Sequence, residues 1–485
     1  MQKTISFVLD GKIQTIEFNS TFSPTTTVLN YLRSQAEHKG VKEGCAEGDC
    51  GACTVVIAEL GEGNTLKYNA WDSCLVFLPM IHGKQLITVE NLCHKKGIEL
   101  VLHPVQEALV STNGSQCGYC TPGIVMSLFA LYKNEHGPAK ESIEDALTGN
   151  LCRCTGYKPI VEAAAKACVH KGQDQFSDSE AAVVALLRQI QQTNSSLEIE
   201  TGSQTYRQPL TLAEACNIRQ SRPDSVLLSG GTDVALRVTK KHELLADVID
   251  LSHIQELKIH TSTATHLVFG AGLSLEEVKA LSQNTVPALY EALSVFGSRQ
   301  IRCLATLGGN LGSGSPIGDT LPVLMASGAE VILQSTKGER VVPMSEFILG
   351  YRKTNRKPNE LIRAIRIPRT DAHTLLKFYK VSKRKDLDIS TVSACFRLHL
   401  NTGKVASLVL AYGGMAAVTK CASHAEAYLL GKNWDRTTVE HAMAEMEQDF
   451  TPLTDARSGA AFRMAAAKNL LLKFWSETNT LLKSA

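Results

Sequence analysis

Eight cysteines stand at spacings that can cage metal. Cys45, Cys50 and Cys53 lie on one loop as Cys-x4-Cys-x2-Cys, and Cys74 follows after 20 residues. This is the plant-type spacing with which four thiolates hold a [2Fe–2S] cluster. Zinc prefers two close Cys-x2-Cys knuckles, whereas here the first spacing is longer and the fourth ligand is distant and single. Gly44, Gly48 and Gly51 permit a loop that wraps a metal group and let amide N–H groups approach sulfur. The second set pairs Cys117 with Cys120 and Cys152 with Cys154. Each pair stands ahead of a helical stretch, where free N–H groups and the helix dipole stabilise thiolate charge. By spacing alone this set also suits zinc. Arg153, between two of its cysteines, suits an anionic cluster. Cys93, Cys168, Cys216, Cys303, Cys395 and Cys421 have no partners at metal spacing and read as small buried hydrophobes. His94, His103 and His136 lie near the cysteines without paired spacing and read as surface or packing residues.

The chain that must position these groups has 485 residues, which suggests about three domains at roughly 150 residues each. Hydrophobic residues make up 44% and charged residues 20%, which excludes wholesale disorder. A net charge of +2 gives no sign of a nucleic-acid binder or a polybasic membrane protein. No apolar run is long enough to cross a membrane, and the N-terminus lacks the apolar core of a signal peptide. The protein is therefore expected in the cytoplasm, where thiols stay reduced. Its 14 cysteines, nine of them before residue 155, point to metal rather than disulfides.

Residues 1–90 read as a β-rich unit. Ile5, Phe7 and Leu9 alternate, Asp10-Gly11 gives a hairpin turn, and Ile13, Ile16 and Phe18 follow. A capped helix is expected over Thr25–Arg33 and a strand over Thr54–Ala58. Residues 91–170 take a helical period over Val105–Val110, Ile124–Tyr132, Ser142–Leu147 and Ile160–Cys168. Pro104 suits a first turn, and Ser142-Ile143-Glu144-Asp145 resembles a capping box. Polar residues 171–205 surround one short apolar run, Ala181–Leu187, and read as a linker with room for one helix. Residues 206–370 alternate strand-like runs with helices and glycine clusters. Residues 371–485 read as an α+β unit with strands at Lys377–Val381, Thr391–Leu400 and Val405–Ala411, then helices.

No Gly-x-Gly-x-x-Gly follows a strand, so a Rossmann dinucleotide site is not supported. Two other runs are informative. Val226–Asp233 is a buried strand ending in Gly230-Gly231, and Ala305–Asp319 is a long loop rich in glycine and hydroxyls. Exposed backbone N–H groups in such loops form anion-binding nests, and together the two runs could hold a diphosphate.

In order, the motifs are Gly44–Cys53, Gln116–Gly123, Cys152–Tyr157 with Lys158-Pro159, Leu227–Asp233 and Thr306–Asn310. This ordered set resembles the xanthine dehydrogenase family of molybdenum hydroxylases, over nearly the whole chain. It is similar to the bacterial arrangement, in which two [2Fe–2S] domains and an FAD domain form a small subunit. The fold implied is α+β multidomain: a plant-ferredoxin-like β-grasp [2Fe–2S] domain (1–90), a helical-bundle [2Fe–2S] domain (91–170), the linker, and a two-part α+β FAD-binding domain. The last is not Rossmann and comprises 206–370 and the C-terminal subdomain 371–485.

The resemblance implies that Cys45, Cys50, Cys53 and Cys74 bind the cluster nearer FAD, and Cys117, Cys120, Cys152 and Cys154 the one nearer molybdenum. Gln116 would lie close to the molybdopterin of a partner subunit. FAD would be held by Leu227, Leu228, Ser229, Gly230, Gly231, Thr232, Asp233 and Val234, by Phe296 beside the flavin, and by Thr306, Gly309, Asn310, Ser313, Asp319, Ile362 and Lys380. Thr306 stands where Ser is common in the family, Ile362 where Leu is, and Lys158 where Arg is. Leu387 replaces an acidic residue in a loop near the flavin, where charge tunes the choice of NAD or oxygen as acceptor. Because the chain stops at Ala485, the molybdopterin domain is expected on a large partner subunit, in a dimer of heterodimers. The implied role is electron transfer in oxidation of hypoxanthine and xanthine to urate, with NAD as acceptor and no general base in this chain. The alternatives are the equivalent subunit of a hydroxylase acting on an aldehyde or N-heterocycle, and a zinc-bearing scaffold.

Overall fold

A computed structural model describes residues 3–19, 21–169, 173–193, 195–371 and 373–484, without the side chains of Lys95, Lys96 and 480–484. The chain forms two units. The first comprises Met1–Ala215, Asp224–Ile254 and Gly297–Ala305; the second comprises Cys216–Pro223, Gln255–Phe296 and Thr306–Ala485.

In the first unit, β1 (Thr4–Leu9) and β2 (Lys12–Glu17) form the expected hairpin, with Leu9 opposite Lys12. Asp10 (φ 54°) and Gly11 (φ 68°) supply the two positive dihedrals that a tight two-residue turn needs. β3 (Thr54–Leu60), β4 (Leu66–Asp72) and β5 (Gln85–Ile87) complete a five-stranded sheet in the order β2-β1-β5-β3-β4. β1 runs parallel to β5 and the other pairs are antiparallel. Helix α1 (Val28–Ser34) starts where the Thr27 hydroxyl accepts the Asn30 N–H at 3.2 Å. It buries Val28, Leu29, Tyr31 and Leu32 in a core with Ile5, Phe7, Val55 and Ile57. This is the β-grasp arrangement expected of the front of the chain.

Helices α2 (Pro104–Ser111), α3 (Thr121–Asn134), α4 (Lys140–Leu147) and α5 (Lys158–Val169) follow, around a core containing Phe129, Tyr132 and Ile160. The expected capping box at Ser142 is not there. The helix begins one turn earlier with Ala139 as its cap, directly after Pro138, whose missing N–H and ring clash bar it from a helix interior; Ser142 falls inside the first turn. Of the segment expected as a linker, residues 171, 172 and 194 lie outside the described residues. Residues Gln175–Gln192 form helix α6, which buries Phe176, Val183, Val184, Leu187 and Ile190 in the same core. A small sheet of Val226–Leu228, Asp247–Asp250, Thr205–Gln208 and Leu197–Glu200, in that order, completes the unit with the helix Arg299–Leu304.

In the second unit, a five-stranded antiparallel sheet runs His260–Ser262, His266–Gly270, Leu361–Pro368, Glu330–Ser335 and Gly338–Pro343. A four-stranded antiparallel sheet runs Thr374–Val381, Val392–Asn401, Lys404–Gly413 and Lys420–Cys421. Phe396 and Tyr412 of the latter pack with Ala467, Leu471 and Phe474 of the helix Ala460–Ser484. Neither sheet has the parallel doubly wound form of a Rossmann fold. Among the described residues no helix is long and apolar enough to cross a membrane.

Candidate iron–sulfur and flavin sites

The β3–β4 register explains the first thiol set. Thr54 pairs with Asp72, so Cys53, just before β3, and Cys74, just after β4, meet at one end of the same strand pair. Their sulfurs are 3.4 Å apart and both are buried. Ser73 holds the closure by donating its hydroxyl to the Cys53 carbonyl at 2.7 Å. On the wrapping loop, Cys45 Sγ accepts N–H groups from Glu47, Asp49 and Cys50 at 3.3–3.4 Å. Its thiol also shares a hydrogen bond with Cys50, and these donors draw its pKa down to about 5. Gly48 (φ 77°) and Gly51 (φ 66°) make the turns, and a Cβ on Gly44 would stand 2.9 Å from Cys50 Sγ. Asp72 is fully buried, 3.8 Å from Cys53 Sγ, and burial pushes its carboxyl up to about 8.

In the second set Cys120 caps α3, and Cys152 and Cys154 precede α5. Cys120 shares a hydrogen bond with Cys152, and Cys154 shares one with Cys117. Burial and Cys152 together raise the Cys120 thiol to about 12. Cys152 Sγ lies 3.3 Å from the Thr155 hydroxyl. Cys117 and Cys154 are exposed, as are Gln116 and Arg153. Among the described residues, no three or more His, Cys, Asp or Glu are grouped to hold one metal ion. The eight thiols instead meet two by two. Two thiolates per iron suit a two-iron cluster, whereas a structural zinc needs four ligands about one point. The thiol sets therefore fit [2Fe–2S] clusters.

The two thiol loops touch. The Leu151 N–H donates to the Cys50 carbonyl at 3.0 Å, and Asn150 Nδ2 donates to the Gly51 carbonyl at 3.1 Å. A Cβ on Gly123 would stand 2.0 Å from the Gly51 oxygen, and one on Gly51 would stand 2.2 Å from the Gly149 oxygen. Only bare backbone allows this approach.

The residues considered for FAD fall in both units. In the first, the strand containing Leu227 and Leu228 ends at Ser229, Gly230 and Gly231 (φ 77°), then Thr232, Asp233 and Val234 lead into the short helix Ala235–Thr239. That helix is tied to the first thiol loop: the Thr239 hydroxyl donates to the Ala46 carbonyl at 2.8 Å, and Lys240 Nζ to the Cys45 carbonyl at 3.1 Å. In the second unit, the Thr306 hydroxyl accepts the Gly309 N–H at 3.1 Å, and the Ser313 hydroxyl donates to the Asn310 carbonyl at 2.8 Å. Asn310 Oδ1 accepts from the Thr320 hydroxyl. Ile362 sits opposite Leu333, with its Cδ1 beside Gly312. Lys380 Nζ, buried, donates to Asp319 Oδ2 at 3.0 Å and to the Val295 carbonyl at 2.7 Å, next to half-buried Phe296. The Ser390 hydroxyl holds the other Asp319 oxygen at 2.6 Å. Leu387 takes φ 65°, and its neighbour Asp388 is clasped by the Arg384 guanidinium at 2.6 and 2.8 Å.

Sequence reasoning missed several groups around the thiol loops. Asn150 was legible only as part of Gly149–Cys152, and Gln300 had no local signal. His103, read as a surface or packing residue, is fully buried. It caps α2, its ring nitrogen accepting the Val105 N–H at 3.2 Å, and its Nε2 lies 3.1 Å from Asp174.

Four domain families match the chain in order. The 2Fe-2S iron-sulfur cluster binding domain covers residues 7–75 and the [2Fe-2S] binding domain 88–165. The FAD binding domain in molybdopterin dehydrogenase covers 186–370 and the CO dehydrogenase flavoprotein C-terminal domain 377–478. The chain is 32% identical to the xanthine dehydrogenase of Emericella nidulans, over 98% of this chain and 38% of that protein. It is also 32% identical to xanthine dehydrogenase 1 of Arabidopsis thaliana, over 93% of this chain and 38% of that protein. It thus spans well under half the length of these curated relatives. Among solved structures it is similar to a carbon monoxide dehydrogenase from Hydrogenophaga pseudoflava that lacks the Mo-pyranopterin moiety of its cofactor. The TM-score is 0.53 and the identity 26%, over 55% of this chain and 93% of the other. With its two [2Fe–2S] domains, FAD-binding domain and flavoprotein C-terminal domain in this order, the chain belongs to the molybdenum hydroxylase family and is homologous to the iron–sulfur and flavin region of xanthine dehydrogenases.

Proposed function

We propose that this chain is the electron-transfer small subunit of a xanthine dehydrogenase, serving a large molybdopterin-binding partner in a dimer of heterodimers. The partner oxidises hypoxanthine and xanthine to urate, and NAD is the final acceptor. The observation that carries the reading is the contact between the two thiol loops, Leu151 N–H to Cys50 C=O, beside a flavin-type segment tied to the first loop. When bound, the clusters carry electrons singly and FAD converts them to a hydride pair.

Cys45, Cys50, Cys53 and Cys74 hold the cluster nearer FAD, and Cys117, Cys120, Cys152 and Cys154 the one nearer molybdenum. The exposure of Cys117 and Cys154, with Gln116 beside them, supports docking of the partner on that side. FAD is held by Leu227–Val234, Phe296, Thr306, Gly309, Asn310, Ser313, Asp319, Ile362 and Lys380. Their work is to bind and orient: backbone N–H groups at the glycine turns for phosphate, the Lys380–Asp319 pair for a fixed floor. The domains proposed are 1–90, 91–170, 206–370 and 371–485, and the compartment is the cytoplasm.

Purification from the native source tests this. The expected result is an equimolar molybdopterin-binding partner, iron and FAD on this chain, and NAD reduction driven by xanthine. Turnover of an aldehyde or N-heterocycle with none of xanthine would overturn the substrate reading, and zinc in place of iron would overturn the ligand assignment.

A further inference from the structure

The contact between the two thiol loops is held by a buried carboxamide relay that reaches it from a distant part of the sequence. Asn150 is 2% exposed and Gln300 fully buried. Asn150 Nδ2 donates to the Gly51 carbonyl at 3.1 Å and lies 3.2 Å from the Thr54 hydroxyl. The Thr54 hydroxyl itself donates to Gly51 O at 2.7 Å. Behind Asn150, Gln300 Nε2 donates to Asn150 Oδ1 at 2.9 Å, and the Ala146 carbonyl (3.0 Å) and Ser127 hydroxyl (2.8 Å) crowd the same nitrogen. Reversing the Gln300 amide would set its oxygen against the Ala146 and Asn150 oxygens, so the donor direction is fixed. Among the described residues Gln300 Oε1 is buried without a hydrogen-bond partner, and a Cβ on Gly149 would stand 2.2 Å from it. The site thus tolerates an unsatisfied oxygen while the amide nitrogen keeps its acceptors.

We propose that the Asn150–Gln300 pair is a positioning device that fixes the two cluster sites at their coupling distance. Its immediate product is the Leu151 N–H to Cys50 C=O hydrogen bond, which joins a ligand of one set to the residue before Cys152 of the other. A short covalent path broken by one hydrogen bond then links the two thiol sets. Among the described residues the hydrogen bonds of Asn150 and Gln300 go to carbonyls, hydroxyls and each other, so they act on the placement of the loops rather than on either set's thiolates. This rests on the assignment of the eight cysteines to two clusters.

The test uses the full chain purified with its clusters and FAD, carrying Gln300→Leu, a change of similar size that removes the donor. Iron content and the two EPR signals of the dithionite-reduced protein are measured first. If either signal is missing in the unaltered protein, the cluster assignment fails, independently of this proposal. With both signals present in the variant, the expected result is loss of the mutual magnetic splitting between them and faster hydrogen exchange at the Leu151 amide. Splitting and exchange equal to those of the unaltered protein would overturn the proposal. Should Gln300→Leu fail to load iron, Gln300→Met, unbranched and also without a donor, carries the same two readouts, and an unchanged splitting and exchange in it would overturn the proposal equally.

Discussion

The two thiol loops do the same chemical task from opposite kinds of surroundings. The first is built into an apolar core: Cys53 and Cys74 are buried with Val55, Trp71 and Leu75, and the hairpin register brings them together. The second straddles the surface, with Cys152 in the helical core but Cys117 and Cys154 exposed, and its scaffold is pinned by buried polar groups. Arg302, fully buried, pairs with Asp145 of α4 at 2.6 Å, and Arg299 pairs with Glu135 at 3.2 Å. The buried Asp174 takes His103 at 3.1 Å and Lys133 at 2.9 Å. A set buried in core is ordered by what stabilises the domain. A set that must be reached from outside has to be ordered by anchors placed behind it.

Removing one ligand from each loop gives the largest expected contrast. Cys53→Ala should abolish one of the two EPR signals and also lower the melting temperature by several degrees. The lost ligand sits in the core, so metal binding and folding are coupled there, at about 2 kcal/mol or more. Cys117→Ala should abolish the other signal, leave FAD bound and move the melting temperature little. Equal thermal losses in both variants would break the contrast.

Acid should act on the second scaffold before the first. Burial alone would raise the Asp174 carboxyl, but its bonds to His103, Lys133 and the Ser177 N–H more than offset that and hold it well below the usual carboxylate range. A depressed carboxyl stabilises the fold at pH above its unfolded value of about 3.9 and loses that contribution as pH falls toward its folded value. Hydrogen exchange in α2 and α3 should therefore accelerate below about pH 4, ahead of β1 and β3. Asp174→Ala should bring the loosening to neutral pH, at about 3–5 kcal/mol, because the buried Lys133 loses its carboxylate partner. Uniform acid loosening of both regions would show that the ion cluster does not distinguish them.

What could be read ahead of the fold follows the same division. Cys53 and Cys74 were legible by spacing, although the β3–β4 hairpin that brings them together was not, and Asp10-Gly11 announced the other hairpin through its dihedral requirement. Helix α6 was harder: its apolar face shows as one short run, and the polar remainder mimics a linker. The capping box at Ser142 was misread because Pro138 sets the helix start. Gln300 could not be read at all, since its partner Asn150 is 150 residues away and a glutamine between Arg299 and Ile301-Arg302 carries no period. The flavin residues were legible only as an ordered set of motifs, because a glycine turn such as Gly230-Gly231 is common by itself.

The smallest expected effect concerns the sulfurs themselves. Cys45 receives three backbone N–H groups, which no side-chain substitution removes, whereas Cys152 has, beside backbone N–H groups of Cys154 and Thr155, the Thr155 hydroxyl at 3.3 Å. A hydrogen bond to sulfur favours the reduced, more negative cluster and so raises its potential. Thr155→Val keeps the shape and removes the hydroxyl. One such bond is worth about 1 kcal/mol, so the potential of the second cluster should fall by a few tens of millivolts while the first stays fixed. A redox titration followed by EPR resolves the two. A shift in the first cluster instead would mean that the two sets had been assigned to the wrong signals, and no shift in either would mean that the hydroxyl turns away from sulfur once iron is bound. The contrast between the loops would then lie in burial, since backbone N–H groups reach both Cys45 and Cys152 and only the second set has two exposed thiols.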